Sequence, residues 1–136
     1  MPRDRETATI GYGIAYALIT VAYIVAPPAR IARPGVVSIA RYIDQLGPVW
    51  SLGFGVVAVG LIATLLLRRW QWLAHSVAAA VIAGYGAASL LSGFLSEAFY
   101  GSPLAMVCFA TMVTHLVFAR RYAVVPEVTG RHIHDT

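Results

Sequence analysis

Two histidines lie inside otherwise apolar stretches of this 136-residue chain, His75 near the start of one uncharged run and His115 near the end of the next. On antiparallel helices the two imidazoles fall at one depth. Two imidazoles at one depth could hold a haem or a metal ion. A metal asks for a third or fourth ligand, and the runs supply none. The plainer reading has both rings bonding to backbone or lipid. His132 and His134 form a His-x-His too short to use as a metal signal. Cys108, the single cysteine, stands beside no base and excludes an intrachain disulfide. No Gly-x-Ser-x-Gly is present. Gly11-Tyr12-Gly13 and Gly53-Phe54-Gly55 lack the preceding strand and following lysine of a phosphate loop. Arg41, Asp44 and Glu97 are the polar candidates at one membrane face, too few for an active site. The expectation is a non-enzymatic protein with no catalytic residues, no resident cofactor and no metal.

The elements that carry these residues follow from where the charges are not. Hydrophobic residues make up 59% of the chain and charged ones 12%, about half the usual share for a soluble domain. Four stretches hold no Asp, Glu or Arg: Thr7–Ala29, Gln45–Leu67, Trp70–Ser96 and Ala98–Ala119. Each is long enough for the ~20 helical residues that cross a ~30 Å hydrocarbon layer. The chain therefore reads as one all-α membrane domain over residues 1–136, a bundle of four spans at about 8–26, 50–67, 73–95 and 103–119. The first span is too long for a signal-peptide core and lacks an Ala-x-Ala site, so it is expected to be retained. Pro27-Pro28 stops it. Pro34 then opens a short amphipathic helix over about 34–46, with Val36, Val37, Ala40, Ile43 and Leu46 on one face and Ser38, Arg41 and Gln45 on the other. Gly47-Pro48 ends it, and Trp50 stands where an interfacial anchor belongs. Residues 123–136 read as a polar tail.

All ten basic residues are arginine, and they gather at span ends. Arg68, Arg69, Trp70, Trp72, Arg120 and Arg121 are the expected lipid-surface anchors. Membrane lipids, not nucleic acid, are then the partner implied by the net charge of +4. With the N-terminus inside, seven arginines face the cytoplasm and Arg30, Arg33 and Arg41 face out. That places both termini in the cytoplasm of a multi-pass protein of the cytoplasmic (inner) membrane.

Inside the spans the informative residues are small or hydroxylated. Ser76, Ala80, Gly84, Ala88 and Ser92 recur at every fourth position, and Gly53, Gly55 and Gly60 stand on the second span. Small residues let helix backbones approach closely in lipid. These residues form a helix-packing interface, either within the bundle or between chains. Because four residues turn a helix through ~400°, the strip creeps around its axis and suits a crossed partner. Thr9, Tyr12, Tyr16, Thr20 and Tyr23 share a polar face on the first span. They read as glue between helices or as the wall of a pore. No span interior holds an Asp, Glu, Lys or Arg, which argues against a carboxylate-driven pump.

Size, span number, arginine-only basicity and small-rich helices together resemble the small multi-span membrane proteins of actinobacterial phages, the holin-like ones among them. That resemblance covers the whole chain in general character. It implies an oligomerising, non-enzymatic membrane protein, holin-like or channel-like. An accessory subunit of a larger respiratory or secretion complex would use the same small faces against other membrane subunits. A haem or metal protein built on His75 and His115 is the third expectation.

Overall fold

A computed structural model describes residues 2–25, 39–95 and 101–124. The described residues form five helices and no strand: α1 (Pro2–Val25), α2 (Ile39–Gln45), α3 (Val49–Leu66), α4 (Gln71–Leu95) and α5 (Gly101–Val124). All but α2 are long and apolar enough to cross a membrane. At 1.5 Å per residue their 18 to 25 residues span about 27–38 Å. No more than 39% of any of the four apolar windows is buried, and large side chains such as Leu52, Val56, Val59, Met106 and Val107 are exposed. A water-soluble protein would not leave that much apolar surface uncovered. The chain is a multi-pass membrane protein.

The helices outrun the expected spans at both chain ends. α1 begins at Pro2, where a missing amide hydrogen costs nothing, and α5 continues past Arg120 and Arg121 to Val124. Hydrogen bonding within a helix does not stop at the hydrocarbon edge, and long arginine side chains tolerate the passage. The Pro27-Pro28 break, the start of the amphipathic helix at Pro34, Glu97 and the tail beyond Val124 lie outside the described residues.

The α3–α4 turn is short. Arg69 N–H donates to the Thr64 carbonyl (3.1 Å) and Arg68 N–H to that of Leu65 (3.2 Å). This is a Schellman closure, with Arg68 at φ 50° in the left-handed position that usually takes glycine. Trp70 is left-handed too, at φ 59°, and its indole lies under the Arg69 guanidinium at 4.6 Å.

Around the bundle, α5 packs on α4, α4 on α3, and α3 on α1. The backbones of α1 and α5 hardly approach each other. A Cβ on Gly86 of α4 would come within 2.8 Å of the Cys108 Cβ on α5. Gly13 of α1 lies close on α3, where a Cβ would meet the Ile62 side chain at 3.0 Å. Only small residues permit such approach.

The described part of the amphipathic helix, α2, is tied to the bundle. Ile39 N–H donates to Ser92 Oγ (2.7 Å), and Ile39, Ala40 and Ile43 pack against the core. Trp50, expected as an interfacial anchor, is instead buried, and its indole N–H donates to the Ala40 carbonyl (2.8 Å). An indole whose N–H finds an internal acceptor has no need of the headgroup layer.

Candidate functional site

His75 and His115 meet. Both are fully buried, and their Nδ1 atoms lie 2.9 Å apart. The reading that they bond to backbone or lipid is overturned: each imidazole finds its partners among side chains. α4 supplies His75 one turn inside its start, α5 supplies His115 two turns before its end together with Phe118 and Tyr122, and α1 supplies Thr9, Tyr12 and Tyr16. His75 Nε2 stands 3.2 Å from Thr9 Oγ1, and His115 Nε2 stands 2.9 Å from the Tyr16 hydroxyl. Thr9 is also 3.3 Å from the Tyr122 hydroxyl. Rings wrap the pair: Tyr12 lies 4.5 Å from His115 between centroids, and Phe118 and Tyr122 stack on His75 at 5.2 and 5.5 Å.

If both rings are neutral and the Thr9 hydroxyl donates along its shortest contact, the direction of every other hydrogen in this chain follows. The Thr9 hydroxyl donates to the Arg5 carbonyl at 2.9 Å. Its oxygen must then accept from His75 Nε2–H. A neutral imidazole carries one hydrogen, so His75 Nδ1 is an acceptor and His115 Nδ1–H is the donor to it. His115 Nε2 in turn accepts from the Tyr16 O–H. The Tyr122 hydroxyl donates to Thr9. All donors and acceptors in the run Tyr16–His115–His75–Thr9–Arg5 are matched with neutral groups, as a site away from water requires.

That closure decides the haem and metal reading. The two imidazoles offer four nitrogens, and all four are engaged in the hydrogen bonds just described. Nitrogens 2.9 Å apart and bonded to each other leave no room for an iron between them. Among the described residues no three His, Cys, Asp or Glu side chains gather as metal ligands. The residues present do not fit a haem or a metal ion.

A cavity of about 380 Å³ adjoins the pair, between α1 and α5. Tyr12, Tyr16 and Tyr23 of α1 line it, with Phe54 of α3, Tyr85 of α4 and Cys108 of α5. Leu104 and Val107, also in its lining, are exposed on the outer face, so the cavity opens sideways toward lipid. The Tyr23 hydroxyl donates to that of Tyr85.

The polar face of α1 is therefore brought together as glue. Thr9, Tyr16 and Tyr23 bond across to α4 and α5, and Thr20 donates to the Tyr16 carbonyl of its own helix (2.8 Å). The expected packing residues divide. Ala88 and Ser92 are buried, Gly53 faces Val81 of α4, and Gly55 faces Thr20 of α1. Ala80 and Gly84 are exposed, and open space surrounds Gly84 and Gly60. Ser76 donates to the Trp72 carbonyl on its own helix. The arginines Arg5, Arg68, Arg69, Arg120 and Arg121 stand at one end of the bundle, the end nearest the histidines. Sequence reasoning missed Tyr85, Phe118 and Tyr122. Tyr122, seven residues beyond His115 and so on its face of the helix, was the available signal.

Fold and site together define an all-α, multi-pass membrane protein with a buried, hydrogen-bonded histidine pair beside a lipid-facing cavity. No protein-family model, curated protein or solved structure matches the chain.

Proposed function

We propose that this is a non-enzymatic membrane protein that acts as an assembly of its own copies, channel-like or holin-like, in the cytoplasmic membrane with both termini inside. One observation carries the reading. The outward side of α4 presents Ala80, Gly84 and Ala87, all exposed, and nothing within 4 Å of where a Gly84 Cβ would stand. Small residues on a lipid-facing side serve no packing role within the chain, and they are what a second helix needs for close approach. The hydroxyls of Thr9, Tyr16, Thr20 and Tyr23 on α1 are bonded inside the bundle, so a conducting path would form between chains. The arginine-rich end supports the orientation, set by attraction to the anionic inner leaflet.

The test is oligomer size in mild detergent. Wild type is expected to run as a discrete homo-oligomer and Gly84→Leu as smaller species with unchanged helicity. An unchanged size in Gly84→Leu removes this interface. Purification only in fixed stoichiometry with other membrane subunits would make the chain an accessory subunit instead.

A further inference from the structure

We infer that the cleft between α1 and α5 is a binding site for a lipid-borne phenol, a hydroxylated aromatic ring carried on an apolar tail. The inference is independent of self-association, since the cleft lies on a single chain.

Four observations carry it. At about 380 Å³ the cavity is of the size that holds a small organic ligand. Its walls are unusually aromatic: Tyr12, Tyr16, Tyr23, Phe54 and Tyr85 all contribute. Rings already pair there at preferred separations, Tyr16 with Phe54 at 5.9 Å and Phe54 with Tyr85 at 5.5 Å, so a further ring would meet faces and edges rather than aliphatic chains. The mouth, at exposed Leu104 and Val107, faces lipid, so entry is from the bilayer.

The fourth observation sets the ligand's polar group. With the Thr9 hydroxyl donating along its shortest contact, to the Arg5 carbonyl at 2.9 Å, the matching order of the chain gives the Tyr16 hydrogen to His115. What the Tyr16 hydroxyl still offers is a lone pair. The group complementary to Tyr16 is a donor, which a phenolic O–H supplies and an ether or a bare hydrocarbon does not. Tyr12, in the same wall, adds a hydroxyl with no hydrogen-bond partner among the described residues. The histidine pair then acts as a positioning device. It fixes the Tyr16 hydrogen away from the ligand and makes the site selective for donors.

The experiment uses the full chain in lipid nanodiscs with Trp70 and Trp72 changed to Phe. Trp50 remains as reporter, 5.0 Å from the Tyr85 ring. The probes are a 4-alkylphenol, its methyl ether and a saturated alcohol of equal length. Saturable change in Trp50 emission is expected with the phenol, with affinity about tenfold weaker for the ether, the loss of one well-placed hydrogen bond. Val107→Phe, at the mouth, is expected to weaken the phenol about tenfold, while Val59→Phe on the far side of α1 and α3 leaves it unchanged. In Tyr16→Phe the preference for phenol over ether disappears, whatever the remaining affinity. Equal binding of phenol and ether to wild type, competition by the saturated alcohol at equal strength, or no saturation at all would overturn the assignment.

Discussion

Away from the histidine pair, the seam between α4 and α5 is closed by small side chains around Gly86, whereas the one between α1 and α5 is spanned by large ones. At the first, Gly86 brings two backbones so near that a single added carbon would clash with Cys108. At the second, the backbones stay apart, and Tyr12 and Tyr16 reach across to His115 and Phe118. The two solve the same problem differently. Lipid offers no hydrophobic drive to hold helices together, so contact must come from dispersion at close range or from directed polar bonds. Close range leaves no space. Directed bonds between long side chains leave a cavity beneath them, and that is where the 380 Å³ void lies. A tight seam is a structural joint, and a spanned seam is a place where something can enter.

The largest effect that would break this contrast is at Gly86. Gly86→Leu forces α4 off α5 and is expected to cost about 3 kcal/mol, the upper end for overpacking. Reversible unfolding in mixed micelles measures it. The same change at Gly84, two residues away, is expected to leave the stability of the dissociated single chain within about 0.5 kcal/mol, since no part of that chain lies against it. Similar losses at both positions would mean that α4 is rotated from the orientation described.

Those two glycines also mark what the sequence could and could not disclose. Four spans were legible because charge-free runs of that length have one physical explanation. The shared depth of His75 and His115 was legible from their distance to the span ends. Their contact was not. Gly84 and Gly86 are identical in type and ~200° apart around a helix, yet one faces open space and the other Cys108 of α5. Which side of a helix meets which neighbour depends on the order of helices around the bundle, and apolar residues on every side leave no hydrophobic pattern to reveal it. The stripe of Thr9, Tyr16 and Tyr23 on α1 was readable as a face for the same reason that the histidines were not readable as a pair. A face is local, and a partner is not.

The next effect down tests the spanned seam itself. His115→Ala strands His75 Nδ1 and the Tyr16 hydroxyl in a site without water, and it is expected to cost about 2 kcal/mol. His115→Ala combined with His75→Ala is expected to cost less than the sum of the two singles, since each single leaves the other ring unpaired. Strict additivity would show that the rings do not bond. Nitrogen-15 spectra of histidine-labelled protein sharpen the point. They should show one ring protonated at Nδ1, His115, and one at Nε2, His75. Two Nε2–H rings would contradict the direction of the whole chain.

A smaller loss is expected from Tyr23→Phe, which removes the hydroxyl that donates to Tyr85 at the other end of the cleft. Interhelical hydrogen bonds in membranes average about 0.6 kcal/mol, and a change of that order is expected in unfolding. α1 should also detach more readily there than near Thr9, where several bonds act together. Hydrogen exchange at the amides of residues 19–25 measures this, with faster exchange expected in the variant while residues 8–14 keep their protection. Uniform acceleration along α1 would mean that the helix is held as one unit and that the two ends of the cleft are not separately secured.

The smallest effect is the most discriminating, because it asks whether the cavity is space or merely loose packing. Leu104→Phe adds volume at the mouth, beside a void and on a surface that faces lipid. A ring there has somewhere to go and exposes nothing polar, so stability is expected to shift by no more than about 0.5 kcal/mol. The comparison is with Gly86, where added volume has nowhere to go. If Leu104→Phe instead destabilises as Gly86→Leu does, the α1–α5 seam is as full as the α4–α5 seam. The two would then differ in residue type alone. If Leu104→Phe is neutral and also lowers the affinity for a phenol, one substitution separates the cost of folding from the use of the space.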